Sequence, residues 1–157
     1  MKPIYAIALV GAGCLLAATS PLAQHQHSAS GAPPPDTRQP VPFPEDMRAH
    51  TLANMRDHLL ALQEIQAALA SGSFDKASEV AEQRLGMSSL KLHGASDIAP
   101  FMPKPMQDIG TQMHRAASQF AVEATNAGAS GDVRAPLAAL SKVTAQCVAC
   151  HSAYRVK

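Results

Sequence analysis

From Glu45 onward, apolar residues recur at three- and four-residue steps, the period of one face of an α-helix. Leu52, Met55, Leu59, Leu62, Ile65 and Leu69 predict a first helix that ends in the Ser-Gly-Ser of positions 71–73. Phe74, Ala77, Ala81, Leu85, Ser88 and Leu92 repeat the period, so a second helix is expected from an N-cap at Ser73 to about Leu92, before His93-Gly94. Residues 94–105, GASDIAPFMPKP, hold three prolines and a glycine and predict a loop that crosses between the two halves of a bundle. Met106, Ile109, Met113, Ala117, Phe120 and Ala124 mark a third helix, which should stop in NAGASGD, where Gly128 and Gly131 let the chain turn. Asp132 as a cap and Pro136 in the first turn open a fourth, with Leu137, Leu140, Thr144, Cys147, His151 and Tyr154 along its stripe. Each stripe has to be buried against the others, so the expected fold is all-α, an antiparallel up-down-up-down four-helix bundle with no strand.

Composition agrees with this pattern. The chain of 157 residues is 46% hydrophobic but only 4% aromatic and lacks tryptophan, which suits one helical domain. Residues 1–23, MKPIYAIALVGAGCLLAATSPLA, have the build of a secretory signal peptide, with cleavage expected after Ala23 although Pro21 sits awkwardly beside that site. The rival readings are an uncleaved anchor and a lipoprotein-like site at Cys14. Residues 24–44 are rich in Pro, Ser and Gln and predict a flexible tether, so the domain is expected over 45–157. His25 and His27 lie in that tether, where two imidazoles without a third ligand do not make a metal site. Loss of Lys2 with the leader takes Lys and Arg from 13 to 12, against 12 Asp and Glu. A near-neutral exported chain lacks the basic footprint of a nucleic-acid partner, and no membrane span is expected once the leader is removed.

The chemistry is concentrated in CVACHSAYR, residues 147–155. Two thiols three apart followed by an imidazole can be a redox dithiol, half a zinc site or a haem attachment point. A redox dithiol is usually found where a helix starts after a strand, whereas this motif falls near the end of a terminal helix, where the dipole disfavours a thiolate. A structural zinc site needs further ligands, and His50, His58, His93 and His114 bring no second cysteine pair. Haem uses all three residues: Cys147 and Cys150 each add to one vinyl group of a porphyrin, and His151 supplies a ligand to the iron.

With these residues in place, the chain resembles the class II c-type cytochromes, which include cytochrome c′ and its low-spin, methionine-ligated relatives. The resemblance rests on CVACHSAYR, with its Tyr154-Arg155 pair, on the last of four helices; it covers residues 45–157 and is specific at that end. It implies one covalent haem c and no bond-making enzymatic chemistry. It also implies a periplasmic location, redox partner proteins, and the pairing of two subunits through the first two helices that is often found in the family.

In that family the first helix covers the far face of the haem. A methionine there gives a six-coordinate iron for electron transfer, whereas an apolar residue leaves the iron open to a small gas such as nitric oxide. Met47, His50, Met55 and His58 are the candidates. With Met55 at zero on the helical wheel, Leu59 and Leu62 fall at about +40° and −20°, His58 near −60° and Met47 near −80°. Met55 is therefore the expected distal ligand, with His58 as its rival, and electron transfer the expected function, with gas binding the alternative. Arg155 is expected near the proximal imidazole or a propionate, and Arg48 and Arg56 are weaker candidates for propionate contacts.

Overall fold

The computed structural model describes residues 34–157, and the segment Asp36–Lys157 forms one unit. The leader at 1–23 and the paired histidines His25 and His27 lie outside the described residues. Five α-helices make up most of this unit, as expected of an all-α chain: α1 Glu45–Ala70, α2 Phe74–Arg84, α3 Ala95–Ile98, α4 Lys104–Ala127 and α5 Arg134–Ala153. Two short strands, β1 Gln39–Val41 and β2 Tyr154–Val156, flank the helices.

α1 opens after Pro44 with Glu45 and Asp46 in its first turn, where carboxylates complement the helix dipole. It stops at Ser71, and Gly72 takes a left-handed φ of 70°, a conformation that glycine adopts without a Cβ penalty. The cap expected from Ser73 is not made: its hydroxyl pairs with that of Ser71 at 3.1 Å, while its carbonyl accepts the Ala77 amide at 3.0 Å. At the start of α5, the Asp132 carboxylate accepts the Arg134 amide at 3.0 Å, close to the role expected for it.

The second helix is shorter than its pattern. It ends at Arg84 rather than near Leu92, because Glu82 turns its carboxylate onto the Ser88 amide at 3.1 Å and draws the chain into a 3-10 turn, Met87–Ser89. Leu92, expected in the buried stripe, is 66% exposed. The predicted loop after it contains α3 and a further 3-10 turn, and Gly94, with φ 61°, starts α3 from the left-handed region.

α1 packs on α2, α2 on α4, and α4 on α5. All four contribute to the larger apolar core, with Ile65, Leu85, Phe120 and Val143 fully buried. Of the stripe expected on α4, Met106, Met113, Ala117, Phe120 and Ala124 are buried and Ile109 is half-buried. On α1 the buried residues are Thr51, Ala61, Ile65, Ala68 and Leu69. Leu52, Met55 and Leu62 are only half-buried, and Leu59 is 70% exposed. The buried stripe is thus turned by about 80° from the one centred on Met55.

A second, smaller cluster lies where α1 begins and α5 ends: Val41, Phe43 and Met106 are buried there, with Met47, Cys150 and Tyr154 packed around them. β1 and β2 pair in parallel at this end, Gln39 opposite Tyr154 and Val41 opposite Val156. This strand pair is an addition to the expected helices, and in the stretch 39–43, expected as the end of a tether, Val41 and Phe43 are buried.

Candidate functional site

Cys147, Cys150 and His151 occupy the last two turns of α5. Both thiols are free and half-buried, and each packs against a different cluster: Cys147 borders the larger core and Cys150 the smaller one. Burial pushes both thiols above their ordinary range, and for Cys150 the nearby Cys147 adds to the effect. They are therefore neutral thiols at pH 7, unlike the low-pKa thiolate of a redox dithiol. His151 was expected to point inward along the stripe with Cys147; instead it is exposed. Val148, between the two cysteines, is 65% exposed.

Polar groups surround this end of α5. Asp36 pairs with Arg38 at 2.9 Å and with Arg155 at 3.5 Å, and Arg38 donates to the carbonyl of His151 at 3.5 Å. Hydrogen bonds from Arg38 hold the Asp36 carboxyl at about 2, so it is ionised at neutral pH. Arg155 sits in β2 opposite Pro40, and its buried Nε faces Asp36 at ion-pair distance without a hydrogen bond. Sequence reasoning singled out Arg155 but missed Asp36 and Arg38, which were assigned to a tether.

The distal candidates are distributed around α1. Asp57 and Glu64 both pair with Arg84 of α2, at 3.1 Å and 2.8 Å, and so mark the flank of α1 that faces α2. Met55 lies about 160–180° around the helix from those two carboxylates, on the flank turned away from α2, with Leu59 beside it. Met47, half-buried, packs in the small cluster that also takes in Cys150. His50 is exposed near Gly94. Arg48 approaches Glu45 at 3.8 Å and Arg56 is exposed.

His58 stands elsewhere. Its imidazole meets His93, from the α2–α3 connection, and His114 of α4, with ring centres 4.6 Å and 6.3 Å away. The neighbouring Asn54 donates to the His93 carbonyl at 3.1 Å, so this face of α1 lies against the connection. Burial, followed by the like charges of His93 and His114, pushes His58 down to about 4. His93 and His114 are lowered as well, chiefly by burial. Sequence reasoning treated these histidines separately, and nothing in their spacing brings them together.

Among the described residues, no three His, Cys, Asp or Glu side chains are set to hold a metal ion as they stand, and no helix is long and apolar enough to cross a membrane. No family model, curated protein or solved structure matches this chain.

Proposed function

We propose that this chain is an exported monohaem c-type cytochrome, built as a four-helix bundle, that carries single electrons in the periplasm between redox partner proteins. The observation that carries the reading is the pair of neutral, free thiols at Cys147 and Cys150, one turn apart on α5, with the exposed imidazole of His151 beside them. This donor set fits a porphyrin: uncharged thiols for two thioether bonds and an imidazole that is not buried in the protein core. Bound there, the group would supply a one-electron iron couple.

The chain's own residues do the rest. Cys147 and Cys150 would fix the macrocycle against both apolar clusters, so its orientation is set by the core on one side and by the β1–β2 end on the other. His151 would supply the proximal nitrogen. Met55, on the flank of α1 turned away from α2, is the distal ligand in this reading. The half-buried Leu52 and Leu62 and the exposed Leu59 support it, since they give that flank an apolar surface against which a porphyrin can lie. Arg38, which reaches the His151 carbonyl, and Arg155 place positive charge at this end of α5, which would favour the reduced, less positive state of an iron centre more than a carboxylate would.

One observation favours a second reading. Met55 lies at the edge of the buried stripe rather than at its centre, and a distal side without a sulfur ligand would leave an open position for a small gas, as in cytochrome c′. Absorption and resonance Raman spectra of the ferric and ferrous protein, matured with a cytochrome c assembly system, separate the two. A low-spin, six-coordinate spectrum that turns high-spin in Met55→Ala supports the carrier. A five-coordinate ferrous spectrum that takes up carbon monoxide supports gas binding. Absence of covalent haem removes both.

A further inference from the structure

His58, His93 and His114 come from three different elements, α1, the α2–α3 connection and α4, and their rings are gathered in one cluster. His93 and His114 are only 5% and 8% exposed, so solvent does not satisfy their nitrogens. His114 Nδ1 lies 2.7 Å from the carbonyl oxygen of Leu85, which can only accept, so Nδ1 carries the proton and Nε2 keeps its lone pair. The Ser89 hydroxyl donates to Gly86 O at 2.7 Å, leaving its oxygen to accept from His93 Nδ1 at 3.4 Å. That again leaves Nε2 as the bare nitrogen. The Nε2 atoms of both His58 and His93 are buried with no hydrogen-bond partner. Buried imidazole nitrogens are normally paired, and two orphans in one cluster need an explanation.

We propose that these three imidazoles form a binding site for a divalent first-row transition ion, for which zinc is the probe. Neutral imidazole nitrogen is a suitable ligand for such ions, and a ligating histidine commonly gives its other N–H to a carbonyl, as His114 does to Leu85. The spacing fits. With a metal–nitrogen bond of about 2.0–2.1 Å, a bound ring centre lies about 3.2 Å from the ion, so two rings at a tetrahedral angle have centres about 5.2 Å apart. The observed separations are 4.6, 5.4 and 6.3 Å. The nitrogens do not converge as they stand, so binding requires the His58 and His93 rings to reorient, which gives up nothing stronger than the 3.4 Å contact of His93 Nδ1 with Ser89.

Burial keeps the three rings uncharged near neutral pH, so their lone pairs are free to bind. The Asp57 carboxylate acts on His58 as a balancing charge and is itself held by Arg84. A bound ion would clasp α1, the connection and α4 at one point, with its fourth position left for water. The inference stands apart from the proposed haem with Met55 as its distal ligand, which uses none of the three residues.

The test is zinc loading of the purified full-length mature protein after chelation and dialysis, with metal content read by mass spectrometry and the ligand shell by X-ray absorption. Wild type should retain one zinc per chain, with three nitrogen neighbours at about 2.0–2.1 Å, and melt roughly 5 °C or more higher when zinc is well above its dissociation constant. His93→Gln and His114→Gln should each weaken binding tenfold or more while leaving the far-UV circular dichroism unchanged. Cys147→Ser/Cys150→Ser should bind zinc as before. A sulfur shell at about 2.3 Å, or zinc lost only with the cysteine pair, would move the ion to the CVACH motif and overturn the proposal. Failure of wild type to retain zinc would overturn it too, and because the absorption shell is measured on wild type, a variant that does not fold leaves the answer intact. The haem spectrum is a separate readout, so loss of either conclusion leaves the other standing.

Discussion

His58 provides the sharpest test of the packing between α1, the connection and α4. Its imidazole titrates near the ordinary value of 6.5 in the unfolded chain but at about 4 in the folded one. Because the folded value is depressed, the unfolded state binds the extra proton first, so this contribution is complete above pH 6.5 and is lost as pH falls toward 4. Linkage between those two values makes the contribution at pH 5 about 2 kcal/mol smaller than at pH 7. The charged groups around the ring are few: Asp57 favours the proton, and His93, His114 and Arg84 oppose it, with burial as the largest cause. His93 and His114 are shifted the same way, so the whole chain should lose more than this single share. The assay is urea unfolding, followed by circular dichroism at pH 7 and pH 5 with EDTA present, so that the rings meet only protons. The variant His58→Gln has nothing to protonate there, and its stability relative to wild type should improve by about 2 kcal/mol between pH 7 and pH 5. The exposed, Arg-paired Asp36 and Asp132 titrate near 2 and do not enter this window. If the two proteins stay within about 0.5 kcal/mol of a constant difference, the ring is hydrated in solution and the buried cluster is not as described.

Phe120→Ala should destabilise by about 3–5 kcal/mol in the same urea assay, because the ring is fully buried where α4 meets the rest of the core; a cost below about 1.5 kcal/mol would mean the core collapses around the gap. Arg84→Ala removes the bidentate partner of Asp57 and a partner of Glu64, and a loss of about 1–2 kcal/mol is expected, since both carboxylates can rehydrate. That loss should shrink in Asp57→Asn, and additive effects of the two changes would refute the pairing. Gly94→Ala meets a φ of 61° and places a Cβ 3.3 Å from His50 Nε2, so it should cost about 1–2 kcal/mol, whereas Gly110→Ala on α4, with no atom near the new Cβ, should be neutral or stabilising by hydrogen–deuterium exchange and melting.

How far the sequence spoke differs from helix to helix, and the reasons are physical. α4 is packed by α2 on one side and α5 on the other, so most of its apolar stripe is buried, although Ile109 is half-buried and Val122, off the stripe, is exposed. In α1 three of the buried residues are Thr51, Ala61 and Ala68, small side chains that let a neighbouring element approach closely but carry little hydrophobic signal. Leu52 and Leu59 carry a strong signal and are not in the core, which is why the expected stripe is turned. α2 ended early for a local reason that periodicity does not register, the Glu82 carboxylate capturing the turn at Ser88. The β1–β2 pair joins residues more than a hundred positions apart through three-residue strands, one of them holding Pro40, and so has no local pattern to find.

The turned stripe bears on function. A helix that spends leucines on a flank its own neighbours do not cover violates the agreement between pattern and burial that a plain helical bundle shows. On α1 that flank holds Met55 and Leu59 and faces away from α2, while the opposite flank is fixed by Arg84. On α5 the corresponding departure is Val148 and His151, exposed between and beside two half-buried thiols. The start of α1 and the end of α5 are held at one end of the domain by the β1–β2 pair and by Met47 and Cys150 in the same small cluster. Two helices thus depart from a self-sufficient core, one of them at the motif to which the proposed function assigns a flat apolar cofactor. If the proposed haem lies there, attaching it should protect the amides of α1 around Met55 from hydrogen exchange more than those around Ile65, which the protein core already covers. Equal protection of both regions, or none at Met55, would separate the leucine flank from the cysteine motif and leave the turned stripe to be explained by another partner.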